Sequence, residues 1–201
     1  WHARMARYLK SIDPYGHPVT TSISHRDLEG LNSVPDIDVN QKHIYCNTGI
    51  IPAEILRYEN RFGKPYVIGE FGYEWDWSKN FDDFGEDMDR DFRRGLWYGI
   101  FSPTPVTPMS WWYFENRGMM DYFKGVRQIS DRMLADGKGS FEQVTVACNP
   151  AEAMGVKCGE VVYVYLYNNS AEELRQAGLT VNLGCKGSYA IEAFDPATCV
   201  C

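Results

Sequence analysis

Between Trp1 and Ala135 the sequence keeps changing its hydrophobic period, from helical spacing to short apolar runs and back. Trp1, Met5, Tyr8 and Leu9 fall at i, i+4, i+7 and i+8 with basic residues between them, which predicts a helix over Trp1 to Ser11. Asp13-Pro14-Tyr15-Gly16 is turn chemistry that ends it. His17 to Ile23 is a β-branched run that reads as a buried strand, and Ile37 to Cys46 holds a second. Ile51 to Phe62 returns to helical spacing, with Pro52 in the first turn, where its missing N–H costs nothing. A strand over Pro65 to Phe71 follows. Then come a helix over Phe84 to Phe101 and a strand over Met109 to Phe114, and a helix over Asp121 to Ala135 completes the series. Strands alternating with helices are the signature of parallel βαβ units. Four strands amount to half of an eight-stranded barrel and cannot close one.

After Gly137-Lys138-Gly139 the helical period vanishes. Short strand-like runs take over at Val144–Ala147, Ala153–Val156, Glu160–Tyr167, Leu179–Leu183 and Tyr189–Phe194, separated by Gly, Asn and Cys turns. The chain therefore reads as α/β over residues 1–138, the C-terminal half of a (β/α)8 barrel, followed over residues 139–201 by a small antiparallel, sandwich-like all-β domain.

Composition narrows the function classes. A formal charge of −7 argues against nucleic acid and anionic membrane surfaces, both of which need a basic face. No run of about 18 apolar residues is present to span a bilayer. Aromatic residues make up 14% of the chain, with six Trp and thirteen Tyr, which suits stacking on sugar rings and equally suits filling a core. The six Cys show no paired metal-ligand spacing, and no metal or organic cofactor is implied. Their concentration in the last quarter permits disulfides in an oxidising, secreted or periplasmic setting.

The segment richest in chemistry is Gly63-Lys64-Pro65-Tyr66-Val67-Ile68-Gly69-Glu70-Phe71-Gly72. An apolar strand runs into a carboxylate between two glycines. Burying such a charge is costly without partners or a role. In (β/α)8 barrels the C-terminal strand ends face the active site. The plainer reading is a structural carboxylate that accepts loop N–H groups. His43 and Tyr45 end the preceding strand and share a side by period-two alternation. A core histidine and a packing tyrosine are their plainer readings. One of Trp111 and Trp112 faces inward from the next strand, as a stacking floor or as ordinary core. The loop Tyr73-Glu74-Trp75-Asp76-Trp77 has the aromatics and acids of a cleft wall, and Glu115 is another acid near a strand end.

His-x-Tyr, then Gly-Glu-Phe-Gly, then Trp-Trp at three successive strand ends resemble the last three strands of the large clan of retaining glycoside hydrolases with (β/α)8 barrels, which includes cellulases and mannanases. The opening Trp1-to-Ser22 stretch is similar to the helix and strand that follow the clan's acid/base strand. The resemblance implies that Glu70 is the nucleophile and that Tyr45 hydrogen-bonds and orients it. It implies further that His43 and Trp111 or Trp112 bind the sugar; Trp75, Trp77 and Glu115 are subsite candidates on the loop composition alone, with a packing lid and solvated loop acids as the plainer readings. The clan's acid/base Glu would lie before Trp1, in the N-terminal half of the barrel, which becomes an expected partner of this chain. Retaining hydrolysis needs two carboxyl groups about 5–5.5 Å apart, so the isolated chain is expected to be inactive. The implied substrate is a β-linked poly- or oligosaccharide. A non-catalytic carbohydrate-binding protein on a degenerate barrel is the alternative.

Overall fold

A computed structural model describes residues 1–24, 26–45, 47–73, 81–103, 118–170, 172–184 and 186–200. In these residues the chain divides into two compact units, one holding residues 1–99 and the other residues 100–103 and 118–200.

In the first unit, helix α1 (His2–Ile12) ends where Asp13 turns the chain, its carboxylate accepting the N–H of Tyr15 at 3.0 Å and of His17 at 2.6 Å. Those backbone donors hold the Asp13 carboxyl below its usual range. Lys10 reaches from α1 to Asp38 Oδ1 at 2.6 Å, and Asp38 Oδ2 accepts the Val19 N–H at 2.8 Å. Strand β1 (Asn40–Tyr45) then pairs in parallel with β2 (Tyr66–Gly72), with α2 (Ile51–Phe62) as the crossover between them. Gly63 stops α2 with a left-handed φ of 60°, a conformation that a Cβ would strain. Lys64 then donates to the carbonyls of Val34 at 2.6 Å and Ile37 at 2.7 Å, fixing where β2 begins beside the turn that precedes β1. Helix α3 (Gly85–Ile100) follows.

The helix-facing side of the β1–β2 pair forms the core. Tyr66 stacks on Tyr58 of α2 with centroids 4.4 Å apart, and Phe71 stacks on Phe92 of α3 at 5.9 Å. Ile51, Ile55, Ile68 and Met88 are fully enclosed there. A second cluster, Ala6, Leu31 and Ile37, packs with Val19, Ile23 and Val34.

Two expectations for this unit change. The run from His17 to Ile23 forms no ladder; its one strand contact is the parallel bridge of Thr20 with Val39. β-Branched composition raises strand propensity, but only pairing along a neighbour makes a strand. On α1, the small Ala6 is buried while Trp1, Tyr8, Leu9 and Ile12 are exposed, so the apolar stripe read from the sequence is not the face this unit buries. The strand read over Met109 to Phe114 lies outside the described residues.

The second unit is built on α4 (Tyr122–Gly137), which buries Val126, Ile129 and Met133 at the three- and four-residue steps that predict it. An antiparallel sheet of β3 (Phe141–Val144), β5 (Glu152–Cys158) and β6 (Val161–Tyr167) runs in the order β3-β5-β6. Strands β4 (Val146–Asn149) and β7 (Gly178–Val181) form a separate antiparallel pair. Gly159 makes the β5–β6 turn at φ 58°, where a Cβ would lie 2.5 Å from the carbonyl oxygen of Asp136. Tyr163 of β6 donates to Asp136 of α4 at 2.5 Å, and Tyr165 packs on Phe101 at 5.7 Å. The run Tyr189–Phe194, read as a strand, pairs with nothing as a ladder; the nearby contact is a bridge between Asp195 and Val200. Ile191 is 95% exposed, so that alternation has no sheet to bury it. Cys148, Cys158 and Cys199 are free thiols. Among the described residues no helix is long and apolar enough to cross a membrane.

Candidate active site

Glu70 owes its position to a break in alternation. Tyr66 and Ile68 face the helices, and strict period-two counting would send Glu70 the same way. The register moves from Lys42 opposite Ile68 to His43 opposite Glu70, so Gly69 is an extra residue in β2. This bulge flips the phase. Phe71 takes the helix-facing side against Phe92, and Glu70 is turned to the opposite face. A Cβ on Gly69 would meet the Gln41 carboxamide at 2.5–2.8 Å, so glycine leaves that side chain its place beside the bulge.

Strand β1 supplies the partners. Lys42 lies on the helix side, 3.4 Å from Glu54 of α2, which leaves His43 and Tyr45 on the face of Glu70. The Tyr45 hydroxyl donates a hydrogen bond to Glu70 Oε2. His43 Nδ1 lies 2.9 Å from the same oxygen. Oε1 accepts no hydrogen bond from the described residues, and the Glu70 side chain is 28% exposed against 8% for His43. One oxygen is therefore tethered by two donors, while among the described residues none bonds its twin. A carboxylate held this way is oriented without being used up, the arrangement a nucleophile or a ligand-binding acceptor requires.

The loop after β1 is anchored separately. Asn47 N–H donates to the Tyr45 carbonyl at 3.0 Å, and Thr48, fully buried, donates its hydroxyl to Asp91 Oδ1 at 2.9 Å and its N–H to the same oxygen at 3.1 Å. Arg94 joins Asp91, Thr48 Oγ1 at 3.0 Å and Asn47 Oδ1 at 3.0 Å. One turn of α3, Asp91 to Arg94, thus holds the backbone that carries Tyr45.

Of the residues named from sequence, the structure brings Glu70, Tyr45 and His43 together; Trp75, Trp77, Trp111, Trp112 and Glu115 lie outside the described residues. Three neighbours escaped the sequence reading. Ser22 Oγ sits 3.1 Å from His43 Nε2. Asp91 and Arg94 form the anchor just described, and an acid placed three residues after Met88, within the apolar stripe of α3, is the signal that marks it. A concavity lined by Lys10, Gly16, His17, Pro18 and Asp38 shares no residue with the Glu70 group. Among the described residues no cluster of His, Cys, Asp and Glu is placed to hold a metal ion.

No protein-family model matches the chain, and no curated protein sequence matches it. Among solved structures it is similar to an endo-β-1,4-mannanase from Thermotoga petrophila, with 14% identity and a TM-score of 0.43 over 90% of this chain and 50% of that one. A hyperthermostable endo-1,4-β-D-mannanase from Thermotoga petrophila RKU-1 matches with 18% identity and a TM-score of 0.37 over 54% of this chain. The chain spans 50% and 39% of the lengths of these two structures.

Proposed function

We propose that this chain carries the nucleophile side of a retaining glycoside hydrolase cleft acting on a β-linked poly- or oligosaccharide. Glu70 attacks the anomeric carbon through Oε1 and forms a glycosyl-enzyme ester, while Tyr45 and His43 hold Oε2. The proton for the leaving oxygen comes from a second carboxylic acid in a preceding barrel half, the chain's partner in the complete site. Trp75, Trp77, Trp111, Trp112 and Glu115 are proposed to line the sugar subsites. Such chemistry on polymeric glycans goes with a secreted or periplasmic setting. The observation that carries the reading is the strand-end carboxylate whose Oε2 is held by both Tyr45 and His43.

The test exploits leaving-group chemistry. A 2,4-dinitrophenyl 2-deoxy-2-fluoro-β-glycoside departs without a proton donor, so it reports on the nucleophile even in a chain that lacks the acid. The expected result is one fluoroglycosyl adduct on the peptide containing Glu70, lost in Glu70→Gln. An adduct on another residue, or none with any β-gluco or β-manno reagent, overturns the assignment. Sugar binding without an adduct would instead support the non-catalytic alternative.

A further inference from the structure

We infer that Ser22, His43 and Glu70 form a hydrogen-bonded relay that makes Ser22 an acyl-accepting nucleophile, so that the chain cleaves small carboxylic esters. The imidazole links the other two groups: Ser22 Oγ is 3.1 Å from His43 Nε2, and His43 Nδ1 is 2.9 Å from Glu70 Oε2. A nucleophile and base within hydrogen-bond reach, the base turned by a third group, is the arrangement by which serine nucleophiles are recognised on unrelated folds. The carboxylate decides the tautomer. Glu70 Oε2 accepts, so the neutral imidazole carries its proton on Nδ1 and leaves the Nε2 lone pair toward the Ser22 hydroxyl. His43 is itself buried, 7% exposed, while Ser22 is exposed, which is where a base and an attacking hydroxyl respectively need to be.

Ser22 Oγ bonds to the ester carbonyl carbon as its proton passes to His43 Nε2. The ester's C–O bond then breaks, and the departing alkoxide takes that proton. Water, activated in turn by Nε2, hydrolyses the acyl-serine and returns the hydroxyl. The relay uses Oε2 and not Oε1, so it stands whether or not Glu70 also attacks a sugar. General-base assistance contributes about 10²–10⁴-fold, which sets the size of the effect to look for.

The test uses the full 201-residue chain and a fluorophosphonate, whose P–F bond breaks as Ser22 Oγ bonds to phosphorus. Mass spectrometry is expected to place the phosphonyl group on Ser22, with p-nitrophenyl acetate turnover lost in Ser22→Ala. Labelling is expected to slow at least tenfold in His43→Gln and Glu70→Gln. Absence of label on Ser22, or label whose rate ignores both changes, overturns the relay. Should either variant fail to fold, Ser22→Cys decides. A thiol on Nε2 forms a thiolate–imidazolium pair, so its alkylation by iodoacetamide is expected to persist well below the ordinary thiol pKa of about 8.5. Titratable groups bonded to the relay or next to it include Tyr45, on Glu70 Oε2, and His2, on the neighbouring Thr21. An ordinary thiol profile at position 22 overturns the inference. A fluoroglycosyl adduct on Glu70 reports on a different residue, so failure of one reading leaves the other standing.

Discussion

Replacing Gly95 by Ala sets helix propensity directly against core packing. On propensity alone the change stabilises an interior helical position by about 1 kcal/mol. In this fold the new Cβ would lie 2.2, 2.4 and 3.0 Å from the Cε2, Cδ2 and Cζ atoms of Phe71. Ordinary contact needs more than 3.4 Å, so the ring must retreat by over 1 Å. It has little room, because Phe71 is fully buried and stacked on Phe92. Overpacking of this kind costs about 1–3 kcal/mol, and a ring confined on both sides belongs at the upper end. The expected net loss is about 1–2 kcal/mol. With a urea slope of about 1–3 kcal/mol/M, the midpoint falls by roughly 0.5–1 M. Urea unfolding followed by near-ultraviolet circular dichroism measures it. Phe71→Leu in the Gly95→Ala background should cost at least about 0.5 kcal/mol less than in the parent, since the two sites touch. A Gly95→Ala protein as stable as the parent, with no such coupling, would refute the claim that α3 needs glycine to dock against β2. Because Phe71 follows Glu70 in the bulged strand, fluoroglycoside labelling of Glu70 should slow as well.

Asp91→Ala is expected to destabilise by about 1–3 kcal/mol, since it removes the acceptor of the fully buried Thr48 N–H. Asp91→Asn, which keeps an acceptor for Thr48, should cost less, and equal thermal midpoints for the two would contradict the anchoring role. Burial, then the hydrogen bond to Asp136, pushes the Tyr163 hydroxyl up to about 12. A raised value means that its contribution is complete below the unfolded tyrosine value of about 10 and fades as pH rises through about 12. Tyr163→Phe should flatten the decline of stability over that window, read from guanidinium midpoints at pH 9, 10.5 and 11.5. Tyr58 and Tyr66, also raised by burial, remain in both proteins, so the difference isolates Tyr163.

What the sequence shows by itself is local. Helices α2, α3 and α4 lie within a residue or two of where apolar spacing, Pro52 and Gly63 put them, because capping and periodicity act within one turn. The strand-end order of His43, Tyr45 and Glu70 was likewise readable, since alternation along β1 puts the first two on one side. The remainder needed the fold. Counting by twos along β2 turns Glu70 toward the helices, and the bulge at Gly69, which exists only because β1 lies alongside, turns it back. Ser22 comes within reach of His43 across 21 residues of chain, and Asp91 reaches Thr48 across 43, distances at which no spacing rule operates. The runs His17–Ile23 and Tyr189–Phe194 have strand composition yet form no ladder. Propensity belongs to the residue, whereas pairing belongs to a neighbour that only tertiary structure supplies.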